Sequence, residues 1–404
     1  MLERKRKLDC ANGREKADLV LKNGNVLNVF TEEVLKADVA ICGDTIVGVG
    51  EYEGKEEIDC TGKYLVPGFI DAHMHIESCM AAPGELAKVL AKAGTTTIIA
   101  DPHEIVNVSG TKGMDYFLKC AAKLLVNVFF MVPSAVPATD VETNGCGEFL
   151  ASDMMKYVDN ARVLGLGETM RFMECCEGEK RMADKLELFA KKHIDGHAPG
   201  IRGKEVQAYR LAGVENDHEC STAEEVLDKL RAGLHIYVRE GSGAKNLETL
   251  IKTMLDAGVC LDRCAFCTDD KHVEEIRKEG HISTCIRKAI ALGVPVAKAY
   301  KMGSYQAAEF YGLKNYGAIG AGYRADIVFL DDLEQVRPLD VMKDGRILTE
   351  EDYAKDYSVP VPDELLHTVH VGEVTKEKIR LSCDGKTDVI QMNPHQIVTT
   401  HLVE

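Results

Sequence analysis

The chain has 404 residues, 45% of them hydrophobic, which is enough for one large barrel with a real core plus a smaller module. Its 65 acidic and 49 basic residues give a net charge of −16. That balance argues against a nucleic-acid backbone as partner and leaves a nearly neutral nucleobase open. No apolar run approaches the ~20 residues of a membrane span.

Fourteen cysteines occur without regular spacing. With no signal peptide apparent, free thiols in a reducing cytoplasm are expected. Cys264 and Cys267 form a single C-x-x-C, a pattern used by zinc and redox sites. It lies in the apolar run Cys264 to Thr268, which reads instead as a buried strand.

In chain order, Met1 to Ala17 is charged and reads as helix or loose chain. Asp18 to Phe30 predicts a hairpin, because Asn23-Gly24 is a two-residue turn signal between apolar runs. Ala37 to Val49 predicts another around Gly43-Asp44. Residues 1–66 are therefore expected to form the first part of a small β domain.

From Val66 the texture changes to short apolar runs alternating with amphipathic helices, such as Ala223 to Ala232 and Leu247 to Ala257. The runs Gly68 to Asp71, Thr95 to Ala100, Val126 to Val132 and Val163 to Gly167 read as strands. So do His193 to Asp195, Gly213 to Asp217, His235 to Arg239 and Ala265 to Thr268. About eight βα units over residues 67–318 predict an α/β fold, a (β/α)8 TIM barrel. Residues 319–352, with Asp344-Gly345 as a turn, are expected to return as strands of the small β domain. The fold expected is thus a barrel with a β-sandwich-like domain built from both chain ends. Residues 353–404 form a tail.

The strand ends carry the chemistry. Val66 to Glu77 reads V-P-G-F-I-D-A-H-M-H-I-E, with His73 and His75 two apart, so both imidazoles project from one face of one strand. A lone H-x-H is ordinarily just two histidines in a loop. Here Asp101, His103 and Glu104 close the second strand, Glu168 the fourth and His197 the fifth. His218 and Glu219 close the sixth, Arg239 and Glu240 the seventh, Asp269 and Asp270 the eighth. In such barrels the functional groups sit at the C-terminal ends of the strands. Imidazole and carboxylate donors suit zinc, iron or manganese. Two divalent ions sharing a water lower its pKa toward neutrality, and an aspartate can then carry its proton.

The pieces H-M-H-I-E-S, A-D-P-H-E-I, G-L-G-E, D-G-H-A-P-G, D-H-E-C, R-E-G-S and F-C-T-D-D, in this order, resemble the bacterial and archaeal adenine deaminase family of the amidohydrolase superfamily. The resemblance runs from about Asp18 to Arg346 and continues weakly to Glu404. It implies a binuclear divalent centre of manganese or iron, with zinc as the further choice. His73 and His75 would hold one ion, Glu168 would bridge the pair, and His197 and His218 would hold the second. Asp269 would be ligand and proton shuttle, with Asp270 its competitor. A metal-activated hydroxide would attack C6 of adenine, Glu219 or Glu77 would protonate a ring nitrogen, and loss of ammonia would give hypoxanthine.

Asp101, His103 and Glu104 are open between a supporting shell, substrate contact and additional metal. Arg239, Glu240 and Ser242 are open between lining the base pocket and a capping loop. His193, His235, His272 and His281 read as surface or core residues, with His281 the first exception. Alternatives to adenine deamination are a related amidohydrolase acting on another purine or a cyclic amide, and a non-catalytic barrel scaffold, which would have lost ligands. The resemblance also implies a homo-oligomer, a dimer. Family members usually carry a further C-terminal domain, so the tail is expected to be the start of a truncated one.

Overall fold

The computed structural model describes residues 2–368, 370–382 and 385–403; Glu404, where the expected tail ends, lies outside them. After a helix at Leu2–Ala11 come β1 (Ala17–Asn28), β2 (Glu33–Cys42), β3 (Thr45–Gly50), β4 (Gly54–Asp59) and β5 (Tyr64–Pro67). β1 is the spine of this sheet. β2 pairs with it antiparallel, while β4 and β5 pair in parallel with successive stretches of it.

The hairpin expected at Asn23-Gly24 does not form; β1 runs straight through it. The register against β2 shifts between Leu21 and Gly24, so the pair makes a bulge instead of a turn. Asn23 has φ +60, and its N–H donates to the Asp38 carboxylate of β2 at 2.9 Å. A Cβ on Gly24 would stand 2.6 Å from Leu65 of β5. Positive φ and close approach, the two reasons for Asn-Gly in a turn, are used here inside one strand. The turn expected at Gly43-Asp44 is present between β2 and β3.

The barrel strands are β6 (Phe69–Met74), β7 (Thr95–Ala100), β8 (Asn127–Val132), β9 (Val163–Leu166), β10 (His193–Ile194), β11 (Asn216–Asp217), β12 (His235–Arg239) and β13 (Cys264–Cys267). They pair in parallel as two arcs, β6 to β10 and β11 to β13. β6 is buried at every position, as expected of a parallel strand covered on both faces. The arcs meet at two seams. At one, Met74 bridges Asp269; at the other, the Glu215 N–H donates to the Ile194 carbonyl at 3.0 Å.

β14 (Ile327–Leu330), β15 (Asp340–Lys343) and β16 (Arg346–Ile347) then rejoin the first sheet through β5, so both chain regions build it. In the tail, β17 (Asp388–Met392) and β18 (Thr399–Val403) form a hairpin.

Local sequence explains why the helices start where the site needs them. The helix Ala223–Arg231 opens on a capping box, Thr222 with Glu225. The second oxygen of Glu225 accepts the Gly200 N–H at 2.5 Å, which ties down the loop behind His197. The helix Leu247–Asp256 buries Leu250, Ile251 and Met254, each burial contributing about 1.5–3 kcal/mol. Inside the barrel, Ile70, Ile99, Met131, Tyr237 and Ala265 pack with Tyr311 into an apolar floor under the strand ends. Among the described residues no helix is long and apolar enough to cross a membrane. Cys264 and Cys267 are free and buried within β13, as expected for a strand.

Candidate metal centre

The C-terminal strand ends bring His73, His75, Glu168, His197, His218 and Asp269 into one buried cluster. The donor atoms of His73, His75 and Asp269 lie within 4.8 Å of one another, as do those of His73, Glu168 and His218. His73 Nε2 and His75 Nε2 face each other at 3.2 Å. His75 Nδ1 donates to the Asp101 carbonyl at 2.8 Å, which turns the Nε2 lone pair inward. Asp269 Oδ1 lies 3.0 Å from His75 Nε2.

Glu168 faces both halves of the cluster. Its Oε2 is 2.7 Å from His197 Nδ1 and 3.1 Å from His218 Nε2, while its Oε1 is 3.5 Å from His75 Nε2 and 3.0 Å from His103 Nδ1.

Asp269 stands at φ +57, a left-handed conformation uncommon for a residue with a Cβ. Its N–H donates to the His73 carbonyl at 3.0 Å, and its carbonyl accepts the His75 N–H at 3.2 Å. That kink carries the Asp269 side chain into the cluster, and Asp270 falls outside on the exposed side. Arg239, fully buried, bonds Glu219 and reaches Asp269 Oδ2 at 3.0 Å. Asn246 Oδ1 accepts from Arg239 Nε and Nη2 at 3.3 and 3.0 Å.

The donor set fits divalent cations. Among the described residues, buried atoms of His73 (Nδ1), His218 (Nδ1), Glu219 (Oε2), Asp101 (Oδ1) and Glu104 (Oε2) have no hydrogen-bond partner. Buried polar atoms are normally satisfied, so this concentration marks a place built for another charge. Electrostatics agree. Burial opposes ionisation of Glu168 and Asp269, yet His197 and His103 hold Glu168, and His73 and His75 hold Asp269, well below the usual carboxylate range. Burial, and then the neighbouring His218, pushes His73 down to about 4, leaving a neutral imidazole able to donate a lone pair.

The amidohydrolase family matches residues 64–348. The chain is 46% identical to an adenine deaminase of Desulfitobacterium hafniense over 391 residues, spanning 96% of this chain and 68% of that one. It is 45% identical to an adenine deaminase of Clostridium acetobutylicum, spanning 95% and 67%. This chain belongs to the adenine deaminase family of amidohydrolases. It spans about two thirds of the length of those relatives. Two solved structures share the fold at low identity. Atrazine chlorohydrolase from Arthrobacter aurescens, complexed with zinc, aligns with TM-score 0.61 at 16% identity over 83% of this chain and 96% of that one. A β-aspartyl dipeptidase from Fervidobacterium islandicum gives 0.62 at 18% over 84% and 98%.

The remaining candidates separate by position. His103 and Glu104 open the helix His103–Ser109 beside His75, and Asp101 Oδ2 accepts the Glu168 N–H at 2.8 Å. Glu77 lies at the rim, its Oε1 accepting the Ile105 N–H at 3.0 Å. Glu240 turns away to Lys288 at 2.6 Å, and Ser242 Oγ accepts the His272 N–H at 2.9 Å; neither joins the cluster.

Sequence reasoning missed the buried carboxylates beneath the ligands. The Asp217 carboxylate accepts from Lys229 at 2.9 Å and from the Ala198 N–H at 2.9 Å, and Asp195 accepts from Asn216 at 2.5 Å. The signal was present as Asp71-x-His73, Asp195-x-His197 and Asp217-His218.

Among the other histidines, His235 is held down to about 4, chiefly by burial and then by Arg263. An imidazole whose folded pKa is depressed must stay neutral to fold. As pH falls from 6.5 towards 4, the unfolded chain takes the proton first, and stability falls with it. Allowing for partial solvent exposure, His235→Gln is expected to relieve about 2 kcal/mol of acid destabilisation. Urea midpoints of chain and variant, aligned at pH 8, should diverge only below about pH 6.5. Parallel curves to pH 4 would contradict this.

Proposed function

We propose that this chain hydrolyses adenine to hypoxanthine and ammonia at a binuclear divalent centre of manganese or iron, with zinc as the further choice. The observation that carries the reading is Glu168, a single carboxylate whose Oε1 faces His75 and His103 and whose Oε2 faces His197 and His218. His73, His75 and Asp269 would hold one ion, His197 and His218 the other, and Glu168 would lie between them. Bound there, the ions would supply a water acidified toward neutral pH.

The chain's own residues do the rest. Asp269, kept ionised by His73 and His75 and fixed by Arg239, accepts a proton and returns it to the departing amine. Glu77 is pushed up to about 8, first by burial and then by Glu104, so it keeps a proton at neutral pH. Among the described residues its buried Oε2 has no partner, which suits it to donate to a ring nitrogen. Glu219 is the opposite case. Burial opposes its charge, but His197, His218 and Arg239 hold it down to about 2, so it accepts an N–H of the base. Two carboxyls pushed apart in pKa thus take opposite roles toward the base, one giving a proton and one accepting a hydrogen bond. Arg239 keeps Glu219 and Asp269 in place, and the buried ring around them excludes bulk water.

A dimer in the cytoplasm is the expected setting. The thirteen cysteines found among the described residues are all free, which suits a reducing compartment. The substrate test is a panel of adenine, guanine, a hydantoin and a dihydropyrimidine on metal-loaded protein, with ammonia release followed for the purines and loss of the ring's ultraviolet absorbance for the cyclic amides. Adenine should exceed the others by ~10⁴-fold in kcat/KM, the scale expected when a site hydrogen-bonds its substrate. Faster turnover of a cyclic amide would overturn the assignment.

A further inference from the structure

The seam between β6 and β13 carries a buried polar network that the reaction itself does not use. The two strands share one bridge, Met74 with Asp269, and no continuous ladder joins them. Below that bridge stands Asp71, with no exposed surface. Its Oδ1 accepts the N–H of His73 at 3.1 Å and the N–H of Thr268 at 3.2 Å. Its Oδ2 accepts the Thr268 hydroxyl at 2.5 Å and faces His281 Nε2 at 3.1 Å. His281 is likewise fully buried, and its Nδ1 lies 2.9 Å from the hydroxyl of Thr95 on β7.

We infer that His281 and Asp71 are positioning residues that hold β6 and β13 in the register in which His73, His75 and Asp269 share one cation. The inference rests on the metal reading above. One carboxylate grips the backbone of His73 and of Thr268, the residue before Asp269, so any shift of Asp71 moves ligands on both strands. A buried carboxylate keeps its place only while its partners satisfy it. His281 supplies the Oδ2 partner from outside both strands and is itself anchored on a third. His281 Nε2 also lies 3.1 Å from the Thr268 hydroxyl, so it acts on the ligand strands through Asp71 and Thr268 together. The opposite seam is closed differently. There Asn216 Nδ2 donates to Asp195 at 2.5 Å, and Asn216 Oδ1 accepts the Gly196 N–H at 3.0 Å, with no histidine involved. Loss of the His281 clamp therefore falls on one ion and spares the ion at His197 and His218.

The test titrates metal-free full chain with Mn2+ and reads free ion by electron paramagnetic resonance, which separates the affinities of the two sites. In His281→Gln, one site should weaken by ~10–100-fold, the range for lost supporting contacts, with the other within about 2-fold. Thr95→Val keeps the ring and removes only its anchor, and should weaken the same site by a smaller factor. A residue that merely stabilises the fold would lower Tm and leave the ratio of the two affinities unchanged. Unchanged affinities, or a parallel fall at both sites, would overturn the clamp. If His281→Gln fails to fold, Thr95→Val alone decides by the same criterion. Fewer than two ions on the unaltered chain would overturn the metal reading itself.

Discussion

Glu168→Gln is expected to lower kcat/KM for adenine by at least ~10³-fold, about 4 kcal/mol of barrier. The amide matches the carboxylate in size, so the barrel should remain folded. The charge is what is lost. Glu168 is held ionised because His103, His197 and His218 crowd its two oxygens. With a neutral amide there, those imidazoles lose their common anion, and cations lose the one donor that faces both histidine sets. Metal content should therefore fall together with activity. Steady-state kinetics beside elemental analysis of the same sample checks this. A variant with both ions retained and near-normal turnover would remove Glu168 from the mechanism.

Asp269→Asn and Asp270→Asn should differ by orders of magnitude. The first is expected to cost ~10²–10⁴-fold in kcat, the range for a lost proton-transfer group. The second should stay within ~10-fold, because Asp270 lies outside the ligand cluster. The asymmetry comes from the backbone. At φ +57 Asp269 turns its carboxylate towards His75, and asparagine tolerates the same left-handed conformation. The substitution thus changes the proton chemistry with little change in shape. Equal losses in the two variants would mean that the doublet shares the role.

That doublet shows what the sequence conveys and where it stops. His73 and His75 are legible because a strand has a period of two, so the spacing alone places both rings together. The eight barrel strands are legible as apolar runs between amphipathic helices. The choice between Asp269 and Asp270 is not, because it depends on one backbone dihedral at the barrel seam. Asn23-Gly24 misleads for a related reason. Its conformational signal is real, but the packing of Leu65 and the reach of Asp38 turn it into a bulge within β1. The Asp71 clamp is hidden by distance along the chain, since Asp71 and Thr268 are 197 positions apart. Glu240 and Ser242 follow Arg239 closely in sequence, yet the chain turns after β12 and sends them to Lys288 and His272.

The most direct test of the central claim is to strip the chain of metal, add Mn2+ in steps and follow adenine conversion to hypoxanthine by absorbance. No turnover is expected in the metal-free chain, followed by a rise that levels off at two equivalents per chain. Full activity in the presence of chelator, or a plateau at one equivalent, would contradict it.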